Sequence, residues 1–254
     1  MKSSKDQYSP AELAIKALRE KARTKRRELR EKRRNAAYFV KVNKKAVGTA
    51  DYIASDKGFI KKNRLPPHFK SLINNCKRFV FSKRCHTDKQ GKYRSISLRG
   101  RRRLFNVLLV LLTNCDFLSG QVGKPKIGHM DTTSHDAMML QYARRFGDAI
   151  SSSTWYRYIG MLDAMDIYFS KEIKLYGEDG VTVRSEASYK WLSKSFLQGI
   201  GAFTDEVMAS IKASYQKAVN KGLSFVWREH NSPVNYRPTP DLFTPYSYGS
   251  APPQ

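Results

Sequence analysis

Apolar residues recur at intervals of three and four along much of the chain, and glycine, proline or small polar residues mark the breaks. That period is a helix signal, and the breaks are helix ends. The first such segment is "SPAELAIKALREKARTKRRELREKRRNAA", where Ser9 can cap, Pro10 suits the first turn and Glu12 stands three residues after the serine. Leu13, Ile15, Ala17 and Leu18 form a thin apolar face that fades after Ala22. From Lys25 onward the segment is nearly all charge, so the expected helix projects into solvent. "AAYFVKVNKKAVG" suits either a short strand or the end of a helix. After a Pro-Pro break, "LPPHFKSLINNCKRFVF" puts Phe69, Leu72, Ile73 and Cys76 on one helical face. "DKQG" is a turn signal, and "KYRSISL" alternates like a strand.

The pattern sharpens from Arg101. "RRRLFNVLLVLLTNC" is an apolar helix with a basic start, and "GKPKIGHMD" is a short extended piece. In "TTSHDAMMLQYARRFG", Thr132, Thr133 or Ser134 can cap a helix supported by Met138, Met139 and Tyr142 and stopped by Gly147. The four residues "DAIS" make a turn, and "SSSTWYRYIGMLDAMDIY" supplies the next helix. "DIYFSKEIKLY" and "VTVRSEASYKW" are β-prone runs on either side of the turn "GEDG". Helix, short strand, helix, tight turn, helix, strand, turn, strand is the order of a winged helix. The expected fold is therefore mostly α with small β-hairpins, an α+β chain carrying a winged helix-turn-helix domain with flanking helices. "FTDEVMASIKASYQKAVNKG" closes the folded part, with Thr204 as cap, Asp205 and Glu206 in the first turn and Gly222 as stop.

The expected organisation is a basic helical arm at 1–37 and a small helix-plus-hairpin subdomain at 38–100, open to being a second winged-helix unit. The winged-helix domain follows at 101–190 and C-terminal helices at 191–222. A Pro/Tyr-rich tail at 223–254 is expected to be disordered.

Charge then points to a partner. The 254 residues hold 47 Lys+Arg against 22 Asp+Glu, a formal net charge of +25. Such a chain repels itself unless a polyanion neutralises it. Nucleic acid is the usual partner, and an acidic membrane surface is the main rival. The longest apolar run, "LFNVLLVLL", is interrupted by Asn106 and falls far short of the roughly 20 residues a membrane span needs. The N-terminus shows no signal-peptide core, and Cys76, Cys85 and Cys115 are too sparse and odd in number for a disulfide framework. The expectation is a soluble, cytoplasmic protein without a membrane.

Within "SSSTWYRYIGMLDAMDIY", Trp155, Ile159 and Leu162 are spaced by four and three, with Ile150 before them and Ile167 after. They face the core. The opposite face then carries Ser152, Ser153, Tyr156, Arg157 and Gly160, the residues expected to read DNA. Small hydroxyl side chains at a helix N-terminus allow close approach, and the N–H groups there can bond phosphate. Arg157 can take a guanine edge or a phosphate, and Gly160 removes a side chain where the helix would press on the groove. Taken alone, the stretch also suits a plain amphipathic helix. The wing adds Lys171, Lys174, Arg184 and Lys190, although Lys171 and Lys174 cannot share one face of a regular strand. Expected backbone contacts are Arg101, Arg102 and Arg103, with Arg26, Arg27, Arg30, Arg33 and Arg34 of the arm. Each could equally be a solvated helix position.

Over roughly residues 44–222 the chain resembles the IncFII-type RepA plasmid replication initiators. The carriers are "KKAVG" (44–48), "RLPPHFK" (64–70), the "SSSTWYRYIGMLDAMDIY" junction and the closing "ASIKASYQKAVNKG". Each motif is short, and their order along one basic chain is the stronger point. The resemblance implies a protein that binds double-stranded plasmid origin DNA and recruits host replication initiation proteins or helicase machinery, without catalysis of its own. It also implies base reading by residues 152–165 and a bacterial protein associated with nucleoid or plasmid. This chain departs from the family at its end, where a Pro/Tyr-rich tail replaces a basic helical extension.

Catalytic alternatives find little support. A nicking enzyme of the rolling-circle kind needs a His-x-His metal pair and a tyrosine nucleophile. His68, His86, His129, His135 and His230 form no such pair. Cys76, Cys85 and His86 lack zinc-ribbon spacing, and no glycine-rich phosphate loop occurs. No enzyme activity, cofactor or metal is expected. The alternatives that share the charge are a winged-helix transcriptional regulator and a general nucleic-acid, or RNA, binding protein. A homodimer is compatible with either.

Overall fold

The computed structural model describes residues 9–43, 52–54, 60–62, 65–87, 90–176 and 183–227. Of 52–54, 60–62, 172–176 and 183–188 it describes the backbone alone. The described chain is mainly helical, with small antiparallel sheets. α1 (Pro10–Asn43) opens with a reciprocal capping box. The Ser9 N–H donates to Glu12 Oε2 at 2.8 Å, and the Glu12 N–H donates to Ser9 Oγ at 3.3 Å. The helix runs unbroken through "AAYFVKVN", so that segment is a helix end and not a strand. Ala37 and Val40 continue the apolar period there and are buried, and this end of α1 packs on α4 (His135–Phe146). The residues from Pro10 to Lys32 are almost all exposed.

β1 (Tyr52–Ala54) and β2 (Ile60–Lys62) form a short antiparallel pair. α2 (His68–Ser82) buries Phe69, Leu72, Cys76 and Val80, one face at spacings of three and four. The hairpin of β3 (Cys85–Thr87) and β4 (Tyr93–Ser95) follows. α3 (Leu98–Leu112) starts ahead of the arginine triplet because Ser97 caps it, its side chain accepting from the Gly100 N–H. Every residue of α3 from Val107 to Leu112 is buried, so this segment is apolar all round and forms the centre of the core.

β5 (Gly123–Ile127) lies between β6 (Met130–Thr132) and β9 (Leu223–Ser224) in a three-stranded antiparallel sheet. α4 and α5 (Ser152–Ala164) precede the long hairpin of β7 (Tyr168–Tyr176) and β8 (Val183–Leu192). Residues 120–122 run beside β8: the Val122 N–H donates to the Lys190 carbonyl and the Leu192 N–H to the Gly120 carbonyl, each at 2.8 Å. α6 (Lys194–Gly199) and α7 (Asp205–Val219) complete the helices. Thr204 precedes α7 as expected, but its hydroxyl donates to the Gly201 carbonyl and makes no cap bond to the helix. One apolar cluster joins α2 through α7, from Phe69 to Ile211. Of the tail expected at 223–254, the residues after Trp227 lie outside the described residues.

Candidate nucleic-acid interface

α4 and α5 are joined by five residues, and side chains or backbone geometry fix both ends of the connection. Ser134 caps α4 by accepting from the Ala137 N–H, which settles which of the three hydroxyl residues is the cap. Gly147 ends α4 at φ 62°, a left-handed conformation that costs glycine little. A Cβ there would also lie 3.3 Å from both Val40 Cγ1 and Lys41 Cγ, because α1 passes over the turn. Ser151 then caps α5, its side chain accepting from the Thr154 N–H at 3.3 Å.

The inward face of α5 is Trp155, Tyr158, Ile159, Met161 and Leu162, all buried, and Ile150 and Ile167 are buried at its two ends. The Trp155 indole N–H donates to His135 Nδ1 at 3.0 Å. Indole nitrogen can only donate, so His135 carries its proton on Nε2, which points to the Tyr168 hydroxyl at 3.4 Å. Burial, helped by the charge of Lys190, pushes the His135 pKa down to about 4. A neutral imidazole thus ties the first turn of α4 to α5 and to the first strand of the hairpin. Nothing in the spacing around His135 marks it for this role beyond its place directly after the hydroxyl residues that can cap α4.

The outward face is Ser152, Ser153, Tyr156 and Arg157, all exposed, with Gly160 half-buried. Tyr156 is 53% exposed, which for so large a ring on a well-packed helix leaves an aromatic edge in solvent. The Arg157 guanidinium stands over the Tyr158 ring, 5.5 Å from its centroid. A Cβ added at Gly160 would meet no atom within 4 Å, so the protein's own packing does not require glycine there.

The expected wing residues separate. Lys171 is exposed, and the β7–β8 register shifts between Lys171 and Ile173, so the regular alternation assumed for Lys171 and Lys174 does not hold across that point. The side chains of Lys174 and Arg184 lie outside the described residues. Lys190 is a correction. It is 1% exposed, on the same strand face as the buried Leu192 and near enough to His135 for its charge to act there, and burial pushes its pKa down to about 8. A side chain so enclosed does not reach a duplex.

The backbone-contact set also divides. Arg26, Arg27, Arg30 and Arg34 are exposed on α1. Arg33 is a second correction: it is 7% exposed, with Nε donating to the Leu29 carbonyl and Nη1 to Met139 Sδ at 2.7 Å. It anchors α1 on α4. Within the triplet, Arg102 is exposed, and Arg101 turns inward to donate to the Phe81 carbonyl at 2.9 Å, satisfying the end of α2. Arg103 reaches Asp148 in the α4–α5 turn at 3.7 Å. Expectations of phosphate contact by Arg101 and Arg33 meet side chains already engaged inside the protein.

Among the described residues, no group of three or more His, Cys, Asp or Glu could hold a metal ion, and no helix is long and apolar enough to cross a membrane. Set against protein-family models, curated proteins and solved structures, the chain matches none.

Proposed function

We propose that the chain is a sequence-specific, non-enzymatic DNA-binding protein that recognises a plasmid replication origin through α5 and brings host replication proteins to it. The observation that carries this reading is the division of α5. Trp155, Ile159 and Leu162 are locked into the core, while Ser152, Ser153, Tyr156 and Arg157 stand in solvent beside a glycine that the packing does not need. A helix held so firmly on one side, with a basic and small-residue face on the other, suits insertion into a major groove. The element order around it supports a winged-helix reading, with residues 120–122 as the first strand, laid along the second strand of a hairpin wing.

In this account Arg157 reads a base edge, the N–H groups at the start of α5 meet phosphate, and Arg102 and Lys171 lie near the backbone. The exposed arginines of α1 add affinity through counterion release. The initiator role, as against that of a transcriptional regulator, rests on the resemblance to RepA-type initiators. Arg157→Ala tests the base-reading claim. It is expected to cost about 1–3 kcal/mol at the specific site and little on random duplex. Equal losses on both, measured by titration of labelled duplexes, would reduce Arg157 to a phosphate contact.

A further inference from the structure

The hairpin β3–β4 departs from the rest of the fold in its exposure. All three residues of β4 are exposed, and Tyr93 is 77% exposed, although a strand normally turns one face to a core. A two-stranded hairpin with so little to bury is marginal on its own. Here it is rooted on the candidate recognition helix. β3 packs against α5. The Ile96 N–H closes the hairpin's base on the Arg84 carbonyl at 2.8 Å, and Ile96 itself is buried. The next turn begins α3, where a Cβ on Gly100 would lie 3.7 Å from the Tyr158 hydroxyl. Tyr158 is the ring on which Arg157 rests.

On the hairpin so seated and at the start of α3, Arg84, Lys92, Tyr93, Arg94 and Arg99 are all exposed. We propose that the β3–β4 hairpin is a second DNA-contacting element, which lies on the phosphate backbone beside the groove that α5 enters. Arg84, Lys92 and Arg94 supply cations to phosphates, and the Tyr93 ring packs on the sugar edge. The occupant is duplex DNA because the surface pairs cations with an exposed aromatic edge on a hairpin seated against the helix assigned to base reading. This inference rests on the proposed function of α5.

Cys85 gives a direct test, because it is an exposed thiol on β3 itself. Cys76 is buried with its thiol pushed up to about 12, and burial holds the Cys115 thiol well above its ordinary range. An iron chelate that cleaves nearby DNA can thus be attached at Cys85 of the full chain, with the Cys85→Ser protein taken through the same labelling as control. On the bound origin fragment, cuts should cluster at one edge of the footprint. In parallel, the Lys92→Ala/Tyr93→Ala/Arg94→Ala protein should bind both specific and random duplex about 10-fold or more weakly. Its salt dependence should be shallower by about 2, measured at a temperature where both proteins are folded. Unchanged affinity and salt slope, or no cutting above the control while the parent protects its site, would overturn the hairpin's role alone. Failure of the parent to bind any duplex would overturn this inference together with the reading of α5.

Discussion

Lys190→Met separates a buried lysine from a DNA contact. The ammonium is enclosed at 1% exposure, and burial lowers its pKa from 10.5 to about 8. A shift of that size corresponds to about 3 kcal/mol spent keeping the group charged at neutral pH. Methionine keeps a similar length and removes the charge. The substitution should therefore remove that cost together with the contacts the ammonium makes, so the desolvation is read from how the stability difference changes with pH. The pH dependence carries the sharper test. The folded-state pKa is the lower one, so between about pH 8 and 10.5 the unfolded chain holds the proton that the folded chain has lost. Wild-type stability should rise through that window, and the stability of Lys190→Met relative to wild type should fall through it by up to about 3 kcal/mol. Urea unfolding at pH 7, 8, 9 and 10 gives the comparison, with DNA affinity measured alongside at pH 7. A stability difference between the two proteins that ignores pH would refute the desolvation argument. A fall in DNA affinity with intact stability would return Lys190 to the wing surface.

Further outcomes follow from other contacts. His135 is held neutral with a pKa of about 4 against an ordinary 6.5, so stability should be full above about pH 6.5 and fall as pH drops toward 4. The loss is at most about 3 kcal/mol, should appear in urea midpoints between pH 7 and 5, and should be reduced in His135→Gln. His68, whose pKa burial also lowers, adds in the same direction. Arg34→Ala should leave the melting temperature unchanged and lower the salt slope of DNA binding by about 1. Arg33→Ala should do the reverse, costing about 1–3 kcal/mol of stability through the lost α1–α4 anchor; identical behaviour of the two variants in melting and binding would contradict the division. Gly160→Ala should raise thermal stability by up to about 1 kcal/mol, since nothing crowds the new methyl group, yet weaken specific DNA binding. A binding titration in which it matches the parent would show that α5 does not press on a groove at that point.

The sequence made the helices of the second half legible because their signals are local. Ser134, Gly147 and the stripe Trp155–Ile159–Leu162 each act within a turn or two of the residues they govern. The capping box at Ser9 and Glu12 belongs to the same class. What escaped depended on distant pairing. Arg33 reads as one more cation in a charged run, and only the approach of α4, with Met139, buries it. Lys190 shares a strand face with the buried Leu192, and its charge acts on His135 of α4, which the sequence does not place beside it. The approach of Met139 to Arg33 is likewise invisible in the spacing near that residue. The same holds for the β3–β4 hairpin: its charges are plain in the sequence, but its seat against α5 is tertiary. The end of α1 was ambiguous for a different reason. "YFVKV" suits a strand by propensity, and the docking of Ala37 and Val40 on α4 favours helix.

The central claim, that α5 gives this basic chain a preferred DNA sequence, is tested most directly by a binding selection at physiological salt. Purified full-length protein would be challenged with fragments of the replicon that encodes it, mixed with random duplex, and the Arg157→Ala protein would be run beside it. The account predicts tight, salt-resistant retention of one fragment containing the replication origin, and loss of that preference in Arg157→Ala with residual general binding. Retention of all fragments alike, collapsing as salt rises and indifferent to Arg157, would contradict it.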